Sequence, residues 1–163
     1  MGDCSVVILP DHASRTRPAL VASLVEAGLT VHDIEVAAQS PAPISVRVCA
    51  AVRAAAPEPP LLFVATTRSL HLLPAVALAQ RTAHQLTVGY AIVADDGDAP
   101  VQDPSGESWP DAPVCLVSAG GDMAGARAPV LGHAALRGWQ VIEAGGGAEV
   151  TAAIAHLARN LAP

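Results

Sequence analysis

The sequence predicts an α/β fold built on a parallel sheet with right-handed crossovers and helices on both faces. Three observations carry this. Short β-branched runs alternate with longer helical patterns from end to end, and the strand-like runs are continuously apolar, as two-sided burial requires. The chain is also long enough, at 163 residues with 52% apolar composition, to bury such a sheet, and 1–163 reads as one domain.

Ser5 to Leu9 is the first apolar run. Thr16 then offers a cap and Pro18 sits in a first helical turn. Leu20, Val21, Leu24 and Val25 share a helical face that Gly28 ends. Thr30 to Val36 is the second strand. After the turn Ser40-Pro41-Ala42-Pro43, Ile44, Val48, Ala51, Val52 and Ala55 recur at helical spacing until Pro57-Glu58-Pro59-Pro60 stops them. Leu61 to Val64 is the third strand. Arg68 to Ala83 is a helix with Leu70, Leu73, Val76, Ala77 and Leu78 inward and Pro74 in its first turns. Leu86 to Ala94, Pro113 to Ser118 and Trp139 to Glu143 are three further strands, with helices at Ala124 to Arg137 and Glu149 to Leu161.

One segment breaks the alternation. Asp95 to Ala112 lacks periodicity and carries six acids with no Arg, which equals the whole net charge of −6, so the rest of the chain is balanced. An acidic stretch of this length with Pro and Gly reads as a surface loop. Its Asp96-Gly97-Asp98 lacks the ligand spacing of a calcium loop.

Composition removes several function classes. The chain has no Lys, and its nine basic residues face fifteen acids, the reverse of a nucleic-acid binder. Disorder, collagen and a disulfide scaffold are excluded by the apolar content and the three widely spaced cysteines, Cys4, Cys49 and Cys115. These read as reduced thiols, with Cys115 in the core. The start Met1-Gly2-Asp3-Cys4-Ser5 has no basic n-region, and Arg68 and Arg81 bracket the most apolar part, so a cytoplasmic protein with no membrane partner is expected. The six histidines form no His-x-x-x-His pair, and neither a Walker nor a Gly-x-Gly-x-x-Gly spacing occurs. No metal or other cofactor is therefore expected.

In an open parallel sheet, ligands bind beyond the carboxyl ends of the strands. Those ends are Asp11-His12-Ala13-Ser14-Arg15, Ala65-Thr66-Thr67-Arg68-Ser69, Asp95-Asp96, Ala119-Gly120-Gly121-Asp122 and Gly145-Gly146-Gly147, so the polar residues of interest converge on one rim.

The element order, together with Gly89-Tyr90-Ala91-Ile92-Val93-Ala94-Asp95, Ser108-Trp109-Pro110-Asp111-Ala112-Pro113 and Leu136-Arg137-Gly138-Trp139-Gln140-Val141, resembles a small α/β-hydrolase of the actinobacterial type. The likeness runs over about residues 5 to 160. It implies a truncated α/β-hydrolase-like sheet in the order 2-1-3-4-5-6, beginning at that fold's third strand, with Thr30–Val36 and Trp139–Glu143 as edges. It also implies a cap reduced to the acidic loop at about 95–112.

By the same resemblance the nucleophile position is Thr67, the acid position Asp122, and the position of the base Gly147. Thr is stiff at χ1 where a strained elbow needs a freely rotating hydroxyl, and Gly supplies no base, so the catalytic triad reads as degenerate. His12, in the loop that builds the oxyanion hole in hydrolases, is the alternative base. The expectation is therefore a protein that binds a small hydrophobic molecule at the rim through Asp11, Arg68, Asp95 and Gly147. His12, Thr67 and Asp122, with Arg68, would serve a non-hydrolytic acid–base step such as elimination, isomerisation or cyclisation. The rival readings are a non-catalytic binding or interaction module, with a homodimer through the Thr30–Val36 edge, and a flavodoxin-like nucleotide-binding domain. A tight turn with positive φ at Thr67 would mark a hydrolase elbow.

Overall fold

The computed structural model describes residues 4–11, 13–37, 39–94, 109–119 and 124–161. Six strands, β1 (Ser5–Ile8), β2 (Val31–Asp33), β3 (Leu61–Thr66), β4 (Thr87–Ala94), β5 (Val114–Ala119) and β6 (Gln140–Ala144), form one sheet in the order β2-β1-β3-β4-β5-β6. All five pairings are parallel. The helices are α1 (Arg17–Glu26), α2 (Ile44–Ala55), α3 (Leu73–Thr82), α4 (Ala124–Arg137) and α5 (Gly147–Asn160), and a 3-10 turn at Leu70–Leu72 leads into α3. Both expected edges are edges, and β3 and β4 form the central pair.

Strand period 2 divides the core into two halves. Val7, Leu61, Phe63, Ala65, Tyr90, Ile92 and Leu116 point to one face, where Val48 and Val52 of α2, Leu73 and Val76 of α3 and Ala134 of α4 cover them. Val6, Ile8, Leu62, Val64, Ala91, Val93 and Val117 point to the other, under Leu24 of α1 and Val150, Ile154 and Leu157 of α5. Continuous apolar runs are thus explained by burial on both sides.

Local signals set the helix ends. Pro18 lies in the first turn of α1, and Gly28 closes that helix at φ +81. The Thr16 hydroxyl does not cap α1; it pairs with Ser14 Oγ at 3.1 Å. Two inward assignments also differ: Val25 and Leu78 are more than half exposed, at 55% and 57%, because α1 and α3 each bury a narrower stripe than their apolar content allows. The end of the acidic segment is not merely solvated, since Trp109 is buried at 4% exposure.

The four aromatic residues of the chain form one contact series across the first face. Phe63 stacks on Tyr90 at 6.2 Å, and Tyr90 meets Trp109, and Trp109 meets Trp139, edge-on at 5.7 Å. The Tyr90 hydroxyl donates to Asp111 Oδ1 at 2.6 Å, and Arg81 Nε lies 3.3 Å from Asp111 Oδ2. Burial, then the neighbouring Asp111 carboxylate, pushes the Tyr90 phenol well above its ordinary value.

The β3–β4 register slips by one residue at its start: Leu61 faces Thr87 and Leu62 faces Gly89. A Cβ on Gly89 would lie 2.8 Å from Leu161 Cδ1 and 3.3 Å from the Pro113 carbonyl oxygen, which itself accepts the Tyr90 N–H. Among the described residues no helix is long and apolar enough to cross a membrane, and no group of three His, Cys, Asp or Glu side chains could hold a metal.

Gly89→Val is expected to lower stability by about 1–3 kcal/mol in urea unfolding, because β4 and β5 cannot separate without losing the Tyr90–Pro113 bond. Cys4 and Cys115 are buried, and desolvation lifts each thiol from 9.0 to about 11. A raised pKa in the folded state means that the contribution is complete below the unfolded value and is lost as pH rises. The urea midpoint should therefore hold up to about pH 9 and fall between about 9 and 11.

Candidate functional site

Parallel strands deliver all their carboxyl ends to one rim, so the site is built from whatever follows each strand there. After β1 comes Asp11, 8% exposed. Its Oδ1 accepts the Ala13 N–H at 3.0 Å, which bends the chain into a turn on the rim. Its Oδ2 accepts the Thr66 hydroxyl at 2.5 Å, which ties the end of β1 to the end of β3. Ser69 completes the cluster: its Oγ accepts the Thr66 N–H at 2.9 Å and lies 3.3 Å from Thr66 Oγ1.

Thr67, the expected nucleophile position, is 4% exposed, and its N–H donates to the Val93 carbonyl at 3.2 Å. Among the described residues, positive φ outside glycine occurs at Ala56 and His84, so Thr67 does not have the elbow conformation that the sequence reading set as its mark. The chain leaves β3 through a turn at 67–69 into the 3-10 helix, and a hydrogen-bonded turn of this kind needs no left-handed residue. Arg68 is half-buried on that turn, and its carbonyl oxygen lies 2.8 Å from His71 Nδ1.

Gly147 is the first residue of α5, and a Cβ built there meets nothing within 4 Å. Beside it, the Glu149 carboxylate accepts the Gly145 N–H at 2.5 Å and holds the glycine turn after β6. His12, Asp95 and Asp122 lie outside the described residues. Asp95 directly follows β4, and Asp122 comes three residues after β5.

Between β1, β3 and the start of α1 lies a small cleft with Ile8, Leu9, Leu20 and Val64 among its apolar walls and Thr66 and Arg17 at its polar side. Its volume, about 10 Å³, is that of a single water-sized probe. Arg17 clamps this corner by donating to Asp33 and, at 2.7 Å, to the Ile34 carbonyl, so the end of β2 is fixed against α1.

The structure thus brings together Asp11 with two residues that the sequence reading passed over, Thr66 and Ser69. A run of hydroxyls at the carboxyl end of a buried strand was the available signal. Such residues satisfy their own backbone and neighbouring carboxylates, and Thr66 and Ser69 do both.

No protein-family model matches the chain, and no curated protein matches its sequence. Its structure is similar to that of the ydeN gene product from Bacillus subtilis, with a TM-score of 0.55 and 12% identity over 90% of this chain and 88% of that one. It is also similar to XCC1541 from Xanthomonas campestris pv. campestris, a protein assigned provisionally to the hydrolases of the alpha/beta superfamily. There the TM-score is 0.57 and the identity 16%, over 98% of this chain and 99% of that one. The chain therefore has an α/β-hydrolase-like fold, with the expected strand order.

Thr66→Val keeps the shape of the side chain but leaves a largely buried carboxylate short of one donor. It is expected to cost about 1–3 kcal/mol in thermal or urea unfolding, whereas Thr66→Ser should retain most of the stability.

Proposed function

We propose that this chain is a non-hydrolytic protein on an α/β-hydrolase-like scaffold that binds a small hydrophobic molecule at the carboxyl-end rim of its sheet. The Asp11–Thr66–Ser69 cluster is the observation that carries this reading. At the end of β3, where a hydrolase presents a hydroxyl in a strained turn, the hydroxyls of Thr66 and Ser69 are committed to hydrogen bonds. A nucleophile needs an acceptor for its proton, and position 147 offers no side chain for the purpose. The apolar cleft beside the cluster supports a hydrophobic ligand, which would rest over the cleft mouth because so small a volume holds no more than a water. Asp11, Arg68, Asp95 and Gly147 are the rim positions assigned to contact it.

A catalytic form of the same reading assigns His12 as the base of an elimination, isomerisation or cyclisation, with Thr67, Arg68 and Asp122 around the reacting group. It is favoured by the pinned turn Asp11–Ala13, which restrains the chain on both sides of residue 12. A homodimer through the β2 edge belongs to the same proposal, and a monomeric mass in light scattering removes it.

Activated esters test the central claim. Wild-type hydrolysis of p-nitrophenyl acetate and butyrate is expected at or below the roughly 10³–10⁴-fold enhancement over water that binding and oxyanion donors leave when a triad is broken. Thr67→Ser with Gly147→His fits sterically at 147, yet should stay inactive because the backbone at 67 is not an elbow. Native mass spectrometry of the purified protein should show a retained small molecule that His12→Ala or Arg68→Ala releases. Robust ester turnover by the wild type, abolished by Thr67→Ala and unchanged in His12→Ala, would overturn the reading.

A further inference from the structure

The opposite end of the sheet carries a groove that the rim site does not use. It is formed where α2 and α3 end and the chain turns into β3 and β4, and its volume is about 850 Å³, within the range of small-molecule sites. Its walls are mainly short apolar side chains, Val52, Ala56, Pro59, Ala79 and Ala83 among them. Gln80 also lines it.

Gln80 is anomalous. It sits on the inner side of α3 and is 7% exposed, but among the described residues its carboxamide makes no hydrogen bond. Nearby in the same lining, the Gln85 amide oxygen is covered and accepts none. The Gln80 carboxamide is not fully covered, so water or a ligand in the groove can supply its partners, whereas the covered Gln85 oxygen is a buried acceptor of the kind that is nearly always satisfied. At the mouth, Arg53 and Glu58 carry opposite charges, so the entrance selects for neither sign.

We propose that this groove is a second binding site, for a neutral, mainly apolar molecule that carries a carboxamide edge. A carboxamide presents one donor beside one acceptor, the complement of the Gln80 side chain, so the two can exchange a pair of N–H to O=C hydrogen bonds away from water. A carboxylate would offer two acceptors and no donor, and would bring an unpaired charge into apolar walls. The proposal is independent of the rim site, which lies at the other ends of the same strands.

Cys49 lines the groove and is half-buried, whereas Cys4 and Cys115 are buried in the core, so one thiol reports on occupancy. Benzamide is the probe, with benzoate as the isostere that lacks the donor. In the ¹H–¹⁵N spectrum of the full chain, benzamide should shift the Gln80 side-chain amide pair saturably. It should also slow modification of Cys49 by methyl methanethiolsulfonate, followed by mass spectrometry. Benzoate should bind at least about tenfold more weakly, and Gln80→Met should weaken benzamide by a similar factor, or about 1.4 kcal/mol. Gln80→Met conserves volume; if it unfolds, protection of wild-type Cys49 by benzamide and not by benzoate decides the matter. Equal binding of the two probes, unaltered benzamide affinity in folded Gln80→Met, or no saturable shift at 10 mM benzamide (about 4 kcal/mol of binding is needed at millimolar levels) would each overturn the proposal.

Discussion

A strand that lies parallel to its neighbour can be reached only by a crossover that brings the chain back to the starting end, and this constraint governs the molecule. Five parallel pairings call for crossovers over the faces of the sheet, so both faces are covered and the inner strands are buried on two sides, while the edges β2 and β6 stay partly exposed. The continuous apolar runs, the two separate core clusters and the gathering of polar loop residues at one rim are consequences of that single geometry.

A core with so few aromatics has to be filled by many small pieces. Ala, Val and Leu do this on both faces, and the four large rings are all placed on the α2–α3–α4 side, where they run in contact from Phe63 on β3 to Trp139 before β6. The Tyr90–Asp111–Arg81 series then attaches the return from the acidic segment to the core through one buried phenol. Grouping the rings on one face concentrates specific, directional packing in one layer, while the α1–α5 face is closed by aliphatic side chains and two thiols.

The two ends of the sheet differ in their side-chain chemistry. At the carboxyl ends, short polar side chains are cross-linked to one another, Asp11 to Thr66 and Thr66 to Ser69, and rigidity comes from hydrogen bonds between loops. At the amino ends, the loop into β3 is rich in Ala and Pro, and with the ends of α2 and α3 it leaves an open groove lined by Gln80 and by Gln85, whose amide oxygen is covered without a partner. Both ends are positioned by the same sheet, which is fixed by packing on its two faces, so the chemistry at one end can differ from that at the other without a change of fold.

Element type and order were legible in the sequence, because burial on two faces forces a continuous apolar run and a helix must show its stripe. The boundaries of α4 coincide with those expected, and the six strands lie where the β-branched runs lie. The order 2-1-3-4-5-6 was legible only through resemblance, since periodicity does not say which strands are neighbours. Which apolar residues of α1 and α3 face outward, as Val25 and Leu78 do, depended on the depth at which each helix meets the sheet. The rim itself could be read from chain order, but the pairing of Asp11 with Thr66, 55 residues apart, could not, and neither could the absence of positive φ at Thr67. The sequence by itself determined what must be buried, because transfer from water depends on side-chain chemistry alone. Only the tertiary structure decided which polar groups meet, because hydrogen bonds require a distance and direction that packing of the whole sheet sets.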